Sequence, residues 1–438
     1  MSVTSLALAP SSLPSPPGLP IFGHALAFRR DPLALLAAAA PLGPIVELRL
    51  LQRRLWLLTR ADLIEPVLMT RNPALGKSSL LRVLGRLVLG DALDTLDGEA
   101  WAARIQQVAP AFKKPRLDAM VPLIQGYARD FADAAARAPG RRVDGDALIA
   151  LALRLQARLL LGVELCDVGR LGRSIRSALA GWNTRLRFGL PTPDWLPVPH
   201  NLVMRRAMRP LRDVVAAAVA EARARPHGGD HVLATLATTD LDDATLTDEL
   251  TTMTFLGAHQ VWLALAWTLQ SLAEHAHHQE HIADEATTLD PAALGFTAMV
   301  FEESLRLHPP FHLLVRDALV DTELDGRQLP RGTTLACSPW LLGRSARYFA
   351  SPDEFRPERW ANDLQRRLPR GAHFPFGGGP RICIANALVR REVTIVVAAL
   401  VRRVRLSLVR SPRPPAPNVT LVLAPPLELA LAPRSAAP

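Results

Sequence analysis

The residue whose surroundings most clearly prescribe chemistry is Cys383, within Phe374-Pro375-Phe376-Gly377-Gly378-Gly379-Pro380-Arg381-Ile382-Cys383-Ile384-Ala385. Three consecutive glycines followed by proline cannot continue a helix or a strand, so the run is a tight, backbone-driven loop. An apolar stretch, Ala385 to Leu400, follows it and reads as a helix. A cysteine at a helix N-terminus, with Arg381 two residues before it, is placed to act as a thiolate. The dipole, the free N–H groups and the arginine all favour ionised sulfur. Glycines let a flat partner approach closely, which suits a haem iron. A phosphate-binding reading of the glycines fails, because no Lys-Ser/Thr follows them and no strand convincingly precedes them.

Other chemically suggestive spacings read more plainly. Cys166 and Cys337, the remaining cysteines of three, sit among apolar or small residues and read as buried small hydrophobes. Glu303 and Arg306 lie three residues apart, on one face of a helix that ends at His308-Pro309-Pro310. On spacing alone such a pair is a solvated ion pair worth little. His275, His277, His278 and His281, with Glu274 and Glu280, have helical spacing for a metal site. No zinc-like partner segment flanks them, so an exposed helix cap is expected there.

The cysteine segment closely resembles the signature of the cytochrome P450 superfamily, Phe-x-x-Gly-x-Arg-x-Cys-x-Gly, from Phe376 through Cys383. Ala385 stands where the pattern expects Gly. The resemblance implies haem b, held by Cys383 as axial iron ligand, with Phe376 and Gly377 in the cofactor-binding loop. It implies Arg316, His373 and Arg381 as donors to the haem propionates. It also turns Glu303 and Arg306 into a buried pair joined by Arg359 of Phe355-Arg356-Pro357-Glu358-Arg359-Trp360, with a folding role. A Trp-x-x-x-Arg/His pair ahead of Pro-Ala-Phe is usual in the family. Trp101 and Pro110-Ala111-Phe112 match, but position 105 is Ile and the arginine is Arg104. One residue turns a helical side chain by about 100°, so Trp101 is the safer cofactor contact. The motifs keep the family's order from about Pro16 to Leu431.

A long helix, Ala244 to His275, is expected to cross the haem face opposite the sulfur. Leu256, Gln260, Leu263 and Trp267 recur along it at helical spacing, and Gly257 permits a close backbone approach. Relatives carry Ala-Gly-x-Asp/Glu-Thr-Thr there, and the acid and alcohol supply protons for cleavage of the O–O bond. This chain has Leu256-Gly257-Ala258-His259-Gln260-Val261 instead. Three readings stand. Water or a substrate hydroxyl relays the proton and hydroxylation persists; His259, titrating near neutral pH, acts as acid-base catalyst, with peroxide as a candidate oxidant; or the outcome shifts to coupling, desaturation or cyclisation. Gln260, able to donate and accept, is expected to face the pocket with His259 behind it.

These residues need a scaffold, and the chain supplies a mainly α one. It has 438 residues, 49% hydrophobic, enough for a sizeable core. Ala, Leu and Arg at helical spacing dominate residues 100–310, broken at Arg137–Gly140, Gly189–Pro199 and Arg225–Asp230. Strand-like runs, Ile45 to Leu50, Leu55 to Thr59, 313–337 and 404–431, assemble a small β-rich part from both ends. The expected fold is that of a cytochrome P450, with haem between the long distal helix and the cysteine loop and its proximal helix. Residues 1–20 read as a flexible Pro/Ser-rich lead, 21–432 as one haem domain and 433–438 as a loose tail.

The formal net charge of +10 comes from scattered arginines, and there are two tyrosines, which argues against nucleic acid and leaves an acidic partner attractive. No uninterrupted apolar run spans a bilayer and the N-terminus lacks signal-peptide features, so a cytoplasmic monomer is expected. The haem domain uses the whole length, so electrons are expected from a small ferredoxin and its NAD(P)H-dependent reductase, docking near Lys113, Lys114 and Arg116. Family pocket positions carry Leu80, Leu81, Leu84, Leu87, Val88, Leu89, Trp182, Leu186, Phe188, Phe311, Leu313 and Leu314. Almost all are apolar, which predicts a hydrophobic small molecule, a terpenoid or other lipophilic natural product, with Arg185 and Arg187 as candidate anchors for a carboxylate or phosphate. The expected activity is monooxygenation; a haem-binding sensor is the non-enzyme rival.

Overall fold

A computed structural model describes residues 13–70, 72–137, 142–188, 192–225, 228–411, 415–424 and 427–434, without the side chains of 186–188. Its axis is a 32-residue helix, Asp243–Glu274, about 48 Å long. Asp242 caps it by accepting from the Thr245 N–H at 2.7 Å, and Asp243 adds a favourable negative charge to the first turn. Most residues from Leu246 to Leu272 are buried, because the helix is covered on several sides rather than on one stripe. Its neighbours are Gly145–Gln156, Pro199–Ala224, Gly295–Leu307 and the cysteine helix, Asn386–Arg403. The cysteine helix packs along Lys114–Ala136 on its other side. The expected bounds for both helices hold to within a few residues.

The β-rich part draws on both halves of the chain. Strands β1 (Ile45–Leu50), β2 (Arg53–Leu58), β3 (Leu75–Lys77), β4 (Leu314–Ala318) and β5 (Thr334–Cys337) form one sheet, in the order β1-β2-β5-β4-β3. Only β2 and β5 run parallel, with Leu57 opposite Ala336. In the β3–β4 register Lys77 faces Arg316, residues 239 apart in sequence terms of position and joined only by this pairing. In smaller sheets Glu428–Pro433 lies between Arg142–Asp144 and Val404–Leu408, and Ala416–Pro417 pairs with Leu421–Val422.

Residues 13–20, part of the lead expected to be flexible over residues 1–20, are held against the fold. Leu13 is buried against Ile45 and Trp56, and the Pro14 carbonyl accepts from the Glu47 N–H. At the other end, Arg434 donates to Glu280 and to the Val401 carbonyl, so the chain is held through that residue. Proline-rich sequence lacks donors, not partners, and here its carbonyls and apolar rings supply the contacts.

Candidate functional site

The cysteine loop is closed by backbone bonds: Gly377 N–H to Phe374 O, Ile382 N–H to Gly379 O, and Cys383 N–H to Phe376 O at 2.9 Å. Asn386 then returns its side-chain amide to the Cys383 carbonyl at 2.7 Å, starting the cysteine helix. The three glycines divide their roles. Gly377, at φ +73°, has no atom nearer than 3.8 Å to where a Cβ would stand, so it leaves an open floor. Side chains at Gly378 and Gly379 would instead strike Met69 and the Leu68 carbonyl, so these two admit the neighbouring segment, not a flat ligand. Ala385 has φ −89°, which any L residue adopts, and this explains why it tolerates a methyl where the signature has Gly.

Cys383 is reachable from solvent, yet the protein crowding it desolvates the sulfur and pushes the thiol up to about 11. The Ala385 N–H opposes this only in part. Arg381 does not help: its guanidinium pairs with Asp97 and lies over the Trp101 ring, 5.4 Å from the centroid. The expectation of a thiolate stabilised by the helix end and Arg381 is therefore corrected. A cationic metal bonded to the sulfur is what would hold it ionised.

Three cations converge beside the loop. Arg381 and Arg316 both act on Lys77, whose ammonium is drawn down to about 8 by burial first, and by these two arginines against the pull of Asp94 and Asp97. The Lys77 Nζ also lies 6.0 Å from the Trp101 centroid, so one indole carries two cations. Lys77 was not singled out from the sequence; nothing in a three-residue strand marks its last lysine. Arg104, whose displaced position made it doubtful, is engaged elsewhere, 2.6 Å from the buried Glu249. His373 is corrected as well. Its Nε2 lies 3.1 Å from Glu302, its ring packs on Trp360 and Phe349, and burial takes it down to about 3. An uncharged ring in that packing is a core element, not a propionate donor. A soft sulfur, an open glycine floor and a surplus of buried positive charge together fit haem b: iron at Cys383, carboxylates at Lys77, Arg316 and Arg381.

Behind the loop lies the expected triad, fully assembled. Glu303 accepts from Arg306 Nε and an Arg306 terminal nitrogen at 2.9 and 2.7 Å, from Arg359 Nε at 2.9 Å, from Trp360 Nε1 at 2.9 Å and from the Arg356 N–H at 2.8 Å. Burial alone would raise its carboxyl, but Arg306, the Arg356 N–H and Arg359 outweigh it and hold the group below its ordinary value. Arg306 spends its remaining donors on the Gly343, Pro352 and Glu354 carbonyls.

The central helix is different. A half-buried stripe of Met253, Leu256, Gly257 and Gln260 interrupts its buried surface at helical spacing. Neither amide atom of Gln260 has a hydrogen-bond partner among the described residues, although both are shielded from solvent. His259 points elsewhere, its Nε2 2.9 Å from Thr420 Oγ1 and its ring tilted against Trp262. Burial takes this imidazole down to about 3, so the reading in which His259 titrates near neutral pH is overturned. Gly257 is also reassigned: a Cβ there would collide with the Gln156 amide, which donates to the buried Glu392 at 2.8 Å. Gly257 thus makes room for a neighbouring helix's side chain. Arg185 is no anchor, since it is buried and bound to Asp194 at 2.6 Å and to the Thr192 carbonyl. Leu84, Val88, Leu89 and Trp182 are core, while Leu80, Leu87, Phe311, Leu313 and Leu314 are half-buried and Leu81 is exposed. The side chains of Leu186, Arg187 and Phe188 lie outside the described residues.

Comparison with known proteins agrees with this geometry. The cytochrome P450 family model matches residues 13–431. A cyclooctat-9-en-7-ol 5-monooxygenase of Streptomyces melanosporofaciens is 30% identical over 428 residues, covering 93% of this chain and 90% of the relative. A cyclooctatin synthase of the same organism is 29% identical, covering 90% of this chain and 89% of the relative. A pentalenene oxygenase of Streptomyces avermitilis is 26% identical, covering 90% and 91%.

Proposed function

The chain belongs to the cytochrome P450 family, a haem b monooxygenase, and from that premise we propose that it hydroxylates a terpenoid with electrons from a separate ferredoxin and reductase. The observation that carries the substrate class is the apolar stripe of the central helix together with the half-buried Leu80, Leu87, Phe311, Leu313 and Leu314. With Arg185 already paired, no described residue among the family's pocket positions offers a free charge to hold a carboxylate or phosphate. A hydrocarbon skeleton with few polar groups is what such a lining selects. The three Streptomyces relatives, two named for cyclooctatin chemistry and one for pentalenene, support the same class. The exposed Lys113, Lys114 and Arg116 supply a basic face for an acidic electron donor.

Haem b supplies dioxygen activation when bound. The chain's own contribution across from Cys383 is the Gln260 amide, which can donate through nitrogen and accept through oxygen. Its two unpartnered atoms favour a polar contact made only with substrate or a substrate-held water, and so a proton supplied through the substrate's own hydroxyl. His259, neutral and bonded to Thr420, fixes the helix face from behind. The same observation keeps one second reading: with no acid or alcohol in the stripe, the outcome is coupling, desaturation or cyclisation instead of hydroxylation. A spin-shift screen of the holoenzyme with cyclic terpenes and terpene alcohols, fatty acids and aromatics tests the substrate class, and product analysis separates the two outcomes. Terpenoids should shift the Soret band; a response confined to fatty acids would sink the terpenoid assignment. The reduced, CO-bound protein should show the red-shifted Soret band of thiolate ligation, and Cys383→Ala should remove it.

A further inference from the structure

Four histidines, His275, His277, His278 and His281, crowd the start of the short helix His277–Glu285. They do not cap it: the N-cap is Ala276, with no side-chain bond to the helix. A neutral imidazole can cap by accepting, as His231 Nδ1 does from the Ala234 N–H at 3.1 Å, but no such bond is made here. What the sequence lacked was a partner segment, and the fold provides one. Glu358, from the Pro357–Trp360 turn, comes to the face that carries His278 and His281.

We infer that His278, His281 and Glu358 form a binding site for a divalent transition-metal ion of the zinc type, separate from the haem. One ligand atom from each lies within 4.8 Å of the others, a span that small rotations close around an ion. Two imidazole nitrogens and one carboxylate oxygen are a donor set for zinc, nickel or copper, not for magnesium or calcium. The second observation is His278 itself. It is 2% exposed, and its Nδ1 has no hydrogen-bond partner among the described residues, although Glu358 Oε1 stands 3.4 Å away at ion-pair distance. A buried ring nitrogen set close to a carboxylate but too poorly aligned to hydrogen-bond to it is what an unfilled coordination position looks like.

Aromatic packing holds the ligands in place. His278 lies 5.7 Å from Phe296 and 5.8 Å from Phe355, and His281 meets Phe296 edge-on at 5.1 Å. His281 and Glu358 are exposed, so an ion can enter and keep a water as its remaining ligand. Bound there, it would fasten the His277–Glu285 helix to the turn that also carries Arg359, hence to the Glu303 network. Its role is a fastener for the haem-bearing core and does not depend on the substrate assignment.

The test is titration of chelator-stripped holoenzyme with zinc chloride, followed by calorimetry, with magnesium chloride as the contrast. One zinc per chain is expected, with no heat from magnesium and a thermal midpoint raised by roughly 2 °C or more at saturation. His281→Ala should weaken zinc at least about ten-fold and abolish the thermal shift, and Glu358→Gln should do the same. His277→Ala should bind as the parent does. If Glu358→Gln fails to give the thiolate CO spectrum, the exposed His281→Ala decides alone. No zinc binding by the parent protein overturns the site, and so does equal affinity in His281→Ala, which would place the ion elsewhere.

Discussion

The two sides of the haem site are built on opposite terms. On the sulfur side, Glu303 takes five donors and Arg306 five acceptor contacts, all within the protein. Across from it, the central helix leaves Gln260, Thr251 Oγ1, Thr254 Oγ1, His259 Nδ1 and Trp262 Nε1 without partners among the described residues. A buried polar atom left unpaired is destabilising by about 1–3 kcal/mol, so these atoms add nothing to stability. The contrast teaches where this fold pairs its buried polar groups: in the layer behind the cysteine loop, not along the central helix, where of these five residues only Gln260 belongs to the half-buried stripe.

The largest expected effect tests the paired side. Glu303→Gln leaves Arg306 and Arg359 buried without their charge partner, which should destabilise the protein by about 3–5 kcal/mol. Denaturant midpoints and haem content would show it; a variant that unfolds like the parent would break the comparison at its stronger end.

The next effect spans both sides. His259, His308 and His373 are taken down to about 3, and His312 to about 4, by burial. Each is neutral when folded and takes up a proton on unfolding below its ordinary value of about 6.5. Stability should therefore be full above that value and fall as pH drops from about 6.5 toward 3–4. Thermal midpoints measured from pH 4.5 to 7.5 should decline on the acid side, and His373→Phe should flatten that decline by one proton's share. A flat profile through pH 6 would contradict the buried neutral state of these rings.

The smallest stability effect has the opposite sign. Gln260→Leu removes an unpartnered amide, so the protein should gain up to about 1 kcal/mol. The same change should lower product formed per NAD(P)H consumed, read as product against cofactor oxidation. Gain of stability with unchanged coupling would mean that Gln260 serves neither side.

Much of this was written locally. The glycine loop, the helix behind Cys383, the proline stop after His308 and the 32-residue central helix follow from short-range rules of backbone freedom, periodicity and capping. With the motif resemblance, these point to Cys383, the triad and the departure at His259 and Gln260 from sequence alone. Local rules misled wherever a residue's surroundings came from far along the chain. His259 titrates normally in a peptide, and only the walls of neighbouring helices keep it neutral. His373 and Arg185 carry the right chemistry for an anion, and only Glu302 and Asp194 engage them.

The sequence by itself determined the cysteine loop, the helical class and the family, because each rests on short motifs and helical periodicity, whose rules act between near neighbours in the chain. Tertiary structure alone decided which cations gather at Trp101, that Gly257 admits Gln156, and that Glu358 reaches the histidines of another helix. Those are meetings of residues tens to hundreds of positions apart, and no pattern of spacing specifies them. Burial and packing bring such groups together, and the same burial then sets which of them carry charge.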